Sequence, residues 1–462
     1  MKVLYYNWCP LQEREGGGIA IYQRNLLQYW ADHPITVPDA DPVEPFFLCS
    51  GFYYDGRKMP YIREEERQYG ARVFSLVNSP VYAPMRAPLT NFSAMLNDET
   101  VTDLIGRFLE QYGPFDCIHF QTLEGLPLKV LTLKERYENT TFLYSVHNYT
   151  AICPNVMLWT EDGQNCEVNE GECAVCMARY NRPTEWVLKN SRRLLERQYN
   201  KLYYCTRGVK FVTRKFFPGR CPENREVYRE YIRESVRSLN KYMDRILAVS
   251  GRVKDIMVRH GVDEHKVQVC YIGTRVAESA HYVCLTDPNA DPFGIVYMGY
   301  MTEEKGFYFL LDALEQMEGT GKIQVTFATK VTDRKARRRI EALREKYYDI
   351  RLFNGYTHAD IPNILRGAHL GIVPVLWEDN LPQVAIEMIA SGVPVLASSF
   401  GGASELNDSQ AFRFAGGNRQ DFHNKLMNIL GHRELLASYW TTQKCLTTMA
   451  CHARDLILCA GR

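Results

Sequence analysis

Two carboxylates eight residues apart, Asp379 and Glu387, stand at opposite ends of a loop-and-helix unit in the segment WEDNLPQVAIEMIASGVPVLASSFGGASE, Trp377 to Glu405. Such a unit can present one acid to the reacting end of a ligand and the other to its far end. The apolar run GIVPVL, Gly371–Leu376, reads as a buried strand. Asp379, Asn380 and Pro382 break it. Residues Gln383–Ala390 then read as a helix, with Val384, Ile386 and Ile389 apolar; Gly392 and Pro394 punctuate its exit, and Val393–Ala397 reads as the next strand. A loop entering a helix from a strand end aims backbone N–H groups at whatever lies above it, and an anion is the natural guest. A carboxylate one turn into the helix, as Glu387 is, accepts two hydrogen bonds and so matches a pair of neighbouring hydroxyls. Its bland role is compensation of the helix N-terminal charge, and that of Asp379 is turn formation.

Lysine and glycine supply the complementary chemistry. Lys305 follows a turn containing Gly299 and precedes Gly306. A fixed ammonium there would stabilise negative charge on a leaving phosphate; beside Glu303 and Glu304 it could equally be a solvated lysine. Gly16-Gly17-Gly18 follows the first strand, MKVLYYNW, and precedes the helix IAIYQRNLLQYW. Glycine at that place permits close backbone approach to a ligand, or simply makes a flexible turn.

These pieces resemble, in order and spacing, glycosyltransferase family 4. Asp379 to Glu387 is similar to that family's E-x7-E signature, with Asp in place of the first Glu. The Gly-Val-Pro-Val run, Gly401-Gly402-x-x-Glu405, ILAVSGRVKDIMVRHGV, VQVCYIGT and IVYMGYMTEEKGFYFLLDALEQM also fit the family. The resemblance implies an α/β protein of the GT-B class: two Rossmann-like parallel-sheet domains facing a cleft. It implies transfer of a hexose or similar unit from a UDP- or GDP-linked sugar, with anomeric configuration retained, to a glycan or polyprenyl-linked acceptor, as in bacterial-type surface polysaccharide synthesis. Gly17, Gly18, Gly299 and Lys305 would then lie at the donor diphosphate and Glu387 at the ribose. Asp379, with the N–H groups of Asn380 and Leu381, would face the transferred sugar or its phosphate, and His147 the donor sugar. Tyr300 stands where the family has arginine, which removes one cation; Lys330, ending IQVTFATK, is a candidate replacement. No catalytic cofactor or divalent cation is expected. The rival functions are a non-catalytic scaffold of the same fold and a nucleotide-sugar epimerase. A phosphorylase would need a pyridoxal-phosphate lysine, for which there is no motif.

The elements that must position these residues alternate strand and helix over 462 residues, the pattern of parallel sheets covered on both faces. An acceptor domain is expected over 1–277, a donor domain over 290–430, and a helical tail over 431–462 that crosses back to the first domain. His147 ends the strand TFLYSVH, at the carboxyl end where such sheets bind ligands. His119, Gln121 and Glu124, at and after the strand CIHF, are acceptor-side candidates.

A cysteine-rich insert at 150–180 carries Cys153, Cys166, Cys173 and Cys176, spaced C-x12-C-x6-C-x2-C. Four thiolates including a close pair satisfy tetrahedral zinc, which would order a polar loop. Reduced thiols and two disulfides are the alternatives.

Between Trp186 and Phe217, nine Lys/Arg and one Glu are interleaved with aromatic and leucine residues. This basic helical segment is either a solvated helix pair or a surface for anionic lipid. Overall, 55 basic residues against 54 acidic leave a net charge of +1, too little field to attract nucleic acid. No apolar run reaches the ~18 residues of a membrane span, and the first residues lack signal-peptide features. A cytoplasmic protein, with at most a peripheral contact to the inner membrane face, is expected.

Overall fold

The computed structural model describes residues 1–12, 17–33, 42–55, 59–81, 83, 92–167, 173–178 and 226–461. Gly16 and the basic segment Trp186–Phe217 lie outside the described residues.

Strands rich in Val, Ile, Phe and Tyr with no polar alternation can only be buried on both faces, which favours parallel sheets under helices. β1 (Lys2–Asn7) reads KVLYYN and buries every residue after Lys2. Around it assemble β2 (Glu44–Ser50), β3 (Tyr61–Glu64), β4 (Arg72–Val77), β5 (Cys117–Phe120), β6 (Thr141–Val146), β7 (Arg245–Ala248) and β8 (Val267–Val269), in the order β3-β4-β2-β1-β5-β6-β7-β8. Among these described strands, only the β3–β4 pair is antiparallel. The second sheet contains β9 (Phe293–Met298), β10 (Ile323–Thr329), β11 (Asp349–Asn354), β12 (Ala368–Val373), β13 (Val395–Ser398) and β14 (Arg413–Phe414), all parallel, in the order β11-β10-β9-β12-β13-β14. Each sheet reverses its order of winding once, between β1 and β5 and between β9 and β12. Doubly wound sheets open a crevice at the carboxyl ends of the strands beside such reversals.

The strand expected at Gly371–Leu376 is displaced to Ala368–Val373. Pro374 has no N–H to donate to a ladder, so the chain leaves the sheet there. The helix Gln383–Ala390 has the expected bounds, and the strand expected at Val393–Ala397 starts later, at Val395. β2, β3, β4 and β14 were not expected, although β2 and β4 (EPFFLCS and RVFSLV) are short apolar runs bounded by turn residues, Asp41-Pro42 and Ser50-Gly51 for the one, Gly70 and Asn78-Ser79-Pro80 for the other.

The tail is less helical than expected. A short helix (Glu434–Ser438) and a 3-10 turn (Tyr439–Thr441) precede an irregular stretch and the helix Met449–Cys459. Its last helix touches the first sheet's domain. The Tyr22 hydroxyl lies 2.6 Å from His452 Nε2, and Thr141 donates to the Ala460 carbonyl at 3.1 Å. Among the described residues no helix is long and apolar enough to cross a membrane.

Gly306, between Lys305 and the helix Phe307–Gln316, has φ +71°, and a Cβ there would stand 1.7 Å from the Pro374 carbonyl oxygen. Gly319 has a similar φ of +68° but faces open space. Both glycines avoid left-handed strain of roughly 1–2 kcal/mol. Only Gly306 also avoids a backbone overlap, so Gly306→Ala should lower the melting temperature by several degrees more than Gly319→Ala. Equal losses in thermal unfolding would show that the 305–306 turn is not packed against the end of β12.

Candidate functional site

Carboxyl-terminal strand ends from both sheets face one cleft of about 890 Å³, toward the upper end of the ~300–1,000 Å³ usual for small-molecule sites. From the first sheet's side come Trp8 after β1, Glu124 after β5, and His147 and Asn148 after β6, joined by Gly17, Gly18, Tyr22 and Arg24 of the helix Gly17–Asp32. Facing them are Gly299, Tyr300 and Lys305 after β9, Lys330 after β10, Tyr356 and His358 after β11, and the loop from Pro374 to Pro382 with Glu387. Lys305 and Glu387 therefore share one crevice.

The centre of the site is the loop after β12. Asp379 is buried and its Oδ2 accepts from Lys305 Nζ at 2.5 Å. The same ammonium lies 5.0 Å from the centre of the Trp377 ring, so the lysine is fixed on two sides. Asp379 spends its own N–H on the Trp377 carbonyl at 2.8 Å. Among the described residues, the N–H groups of Asn380 and Leu381 donate to no protein acceptor. Helix Gln383–Ala390 begins behind Pro382 without a side-chain cap; among the described residues the Gln383 and Val384 amides also have no protein acceptor, while Ala385 N donates to the Pro382 carbonyl at 3.1 Å.

Gly401 and Gly402 brace this loop from behind. At Gly401 φ is +72°, and a Cβ would lie 2.2 Å from the Asp379 carbonyl oxygen; Gly402 N donates to that oxygen at 2.9 Å. The neighbouring Glu378, also buried, accepts from Arg252 Nε at 2.9 Å and Gly401 N at 3.0 Å, and pairs with the second arm of the Arg252 guanidinium. Glu405 receives Gly251 N at 2.7 Å, Arg252 N and the Tyr271 hydroxyl, capping the helix Gly251–Arg259 from the other sheet's domain. Ser250 Oγ donates to the Asn380 carbonyl at 2.8 Å. The family-like Gly401-Gly402-x-x-Glu405 run thus ties the two halves together around the loop.

Glu387 is occupied. Its carboxylate pairs with His358 Nε2 at 3.0 Å. That bond raises the His358 pKa above the ordinary imidazole value, against an opposing effect of partial burial. His358 and Tyr356 were missed in the sequence, although both follow the carboxyl end of β11, where ligand contacts concentrate.

His147 faces the cleft with Nε2 at 2.7 Å from Gln121 Oε1 and its ring 4.7 Å from that of Tyr22. Burial pushes its pKa down to about 3, with His452 nearby adding to the effect. It is a neutral hydrogen-bonding group at ordinary pH and not a cation. Two acceptor-side expectations need correcting. His119 and Gln121 do not line the cleft. His119 sits within β5, buried, with Nε2 at 2.7 Å from Ser145 Oγ, and burial holds its pKa well below the usual value. Gln121 lies behind His147 and orients it. Glu124 does reach the cleft and accepts from Asn148 Nδ2 at 2.7 Å.

Opposite charges are balanced at the surface of the cleft: Arg24, Lys305 and Lys330 face Glu124, Asp379 and Glu387. An anion here would be held by directed N–H groups more than by excess positive charge. Tyr300, more than half exposed at 62%, presents an aromatic face at the same rim.

Cys153, Cys166, Cys173 and Cys176 line a separate cavity of about 20 Å³ with Pro154, Asn155, Trp159 and Met177. Four sulfur donors around one small space are the donor set zinc prefers. Among the described residues, however, no group of three or more His, Cys, Asp or Glu side chains is drawn together tightly enough to hold a metal ion.

Residues 292–432 match the family model described as Glycosyl transferases group 1. No curated protein gives a match. Among solved structures, Anabaena HepE in complex with UDP and glucose is 13% identical, with 99% of this chain and 98% of that chain covered and a TM-score of 0.55. Sucrose-phosphate synthase from Thermosynechococcus elongatus is 16% identical over 100% and 96%, TM-score 0.56. A glycosyltransferase from Rickettsia africae is 14% identical over 99% and 97%, TM-score 0.57. At such identities the likeness is one of fold: the chain has the GT-B architecture of two parallel-sheet α/β domains, and its second half carries a segment of the group 1 glycosyltransferase type.

Proposed function

We propose that the cleft binds a nucleotide sugar and transfers its hexose, with retained configuration, to a glycan or polyprenyl-linked acceptor. The observation carrying this reading is the convergence of Lys305, Asp379, the open amides of Asn380 and Leu381, Glu387 and His147 on one crevice. The match of 292–432 to the group 1 glycosyltransferases, and the UDP and glucose held by HepE, support a UDP- or GDP-linked donor.

In this reading the diphosphate lies against Lys305, the loop amides and the glycine end of the helix Gly17–Asp32, with Lys330 replacing the family's missing arginine. Glu387 receives the ribose hydroxyls once His358 is displaced. His147, held neutral, and Asp379 orient the sugar. Glu124 and Asn148 face the acceptor. Attack and departure take place on the same face, and the leaving phosphate takes the acceptor proton. The protein then contributes positioning and charge stabilisation. We place the reaction at the cytoplasmic membrane face, with the 186–217 segment against anionic lipid. A structural zinc on Cys153, Cys166, Cys173 and Cys176, with no part in the chemistry, would require the four sulfurs to draw closer together than they stand here.

Turnover on a panel of UDP- and GDP-sugars, with and without acceptor, tests this reading. Nucleotide-sugar binding without transfer or hydrolysis would favour the scaffold reading, to which Tyr300 lends support. A directed cation at a leaving phosphate is worth about 3–4 kcal/mol, so Lys305→Ala should lower kcat by roughly 10²–10³-fold, and Lys330→Ala by less. Unchanged kcat in Lys330→Ala would remove Lys330 from the diphosphate site.

A pH dependence follows from the His358–Glu387 pair. The folded His358 pKa is raised, so the pair is fully formed below the ordinary imidazole value and is lost as pH rises through the raised one. Ribose competes with imidazolium for the same carboxylate. Affinity for the donor sugar, whose diphosphate does not titrate in this range, should therefore strengthen from about pH 5.5 to 8.5. His358→Ala should bind more tightly at low pH and lose most of that dependence in titration calorimetry; a wild-type profile in the variant would exclude the competition. For the metal, protein purified without chelator should carry close to one zinc per chain by elemental analysis. A ratio near zero would remove it.

A further inference from the structure

Asn165 precedes Cys166 in the cysteine-bearing loop, yet its side chain is committed elsewhere. Its Nδ2 donates to the Leu376 carbonyl at 2.8 Å, and its Oδ1 accepts from Glu378 N at 3.0 Å. One amide thus completes both backbone bonds of a peptide stretch more than two hundred residues away in the chain. This is the service a neighbouring strand would give, supplied where β12 has already ended at Val373. From the opposite side, Leu376 N donates to the Glu304 carbonyl at 3.0 Å, next to Lys305. The 376–378 stretch is therefore held between the turn that carries Lys305 and the loop that carries the cysteines. Asp379, paired with Lys305, follows directly.

Asn165 is itself anchored. It bridges Trp159 across a turn closed by Thr160 N to the Gln164 carbonyl at 2.8 Å; Cys166 N donates to the Leu158 carbonyl at 2.7 Å, and Asn155 Nδ2 to the Trp159 carbonyl at 2.8 Å. Asn155 and Trp159 belong to the lining of the four-cysteine cavity. A displacement of that cavity's wall would be carried through one rigid turn to the peptide beside Asp379.

We propose that Asn165 is a positioning residue for the reacting loop, through which the cysteine-bearing insert sets the placement of Asp379 and Lys305. This rests on the glycosyl-transfer reading for its kinetic consequence, though not for its structural one. A misplacement of about 1 Å at reacting groups is enough to cost on the order of 100-fold in rate, and Asn165 is not among the residues that line the cleft.

The test compares wild type with Asn165→Ala and the nearly isosteric Asn165→Asp. Hydrogen exchange at the Glu378 amide should speed up in the alanine variant, whose acceptor is gone, while melting temperature changes by only a few degrees. On the nucleotide sugar the wild type turns over, kcat should fall roughly ten- to hundredfold with donor KM changed by less than about threefold. The aspartate variant keeps the acceptor for Glu378 N and regains a donor for the Leu376 carbonyl only when protonated. Its activity relative to wild type should therefore climb as pH falls toward the carboxyl pKa of about 4. Wild-type exchange at Glu378 together with wild-type kcat in both variants would overturn the proposal, leaving Asn165 as a fastener of the cysteine loop alone. Should the wild type turn over no nucleotide sugar, the transferase reading fails while the exchange measurement still decides the positioning role.

Discussion

A strand that meets proline must give up its ladder, and that constraint governs this site. β12 stops at Val373 because Pro374 cannot donate, and the nine residues from Pro374 to Pro382, before the helix Gln383–Ala390, have no regular structure of their own. Every polar group on that stretch needs a partner from outside. The molecule supplies them from four directions: the glycine turn at 401–402 behind, the Arg252–Glu378 pair and Ser250 from the first sheet's domain, Asn165 from the cysteine-bearing loop, and the Glu304 carbonyl beside Lys305. Among the described residues, the amides of Asn380 and Leu381, which line the cleft, still donate to no protein acceptor.

The electrostatics follow the same logic. Lys305 is pinned by Asp379 and by the Trp377 ring, so it is an oriented cation and not a diffusing one. Preorganised donors of this kind need little rearrangement when charge develops, which is where such sites gain most. His147 is kept neutral by burial and aimed by Gln121. Glu387 is paired with His358, a pair that the proposed ribose contact would have to break. The charges lining the cleft cancel, in keeping with a chain whose net charge is only +1; in the proposed reading, selectivity for a phosphate comes from geometry.

Much of this was legible in the residue order. The helix 383–390, the strand Cys117–Phe120 and the shared crevice of Lys305 and Glu387 follow from periodicity, proline and glycine punctuation, and family-like spacing. Contacts set by tertiary packing were not legible. Nothing in the sequence marks Asn165 as a partner of Leu376 or Arg252 as a partner of Glu378, because those pairs are formed by the meeting of two domains. His119 was misjudged for a related reason: strand alternation points it inward to Ser145, and the cleft is reached only farther along, at Glu124. β2 and β4 were passed over, although turn residues bound both, because a short apolar run has no distinct period.

The most direct test is an experimental structure of the protein with a nucleotide sugar bound. The account predicts the diphosphate within hydrogen-bond distance of Lys305 Nζ and the N–H groups of Asn380 and Leu381, with the ribose on Glu387 and His358 displaced. A nucleotide lodged outside the cleft, or one whose phosphates contact neither Lys305 nor the 380–381 amides, would contradict it.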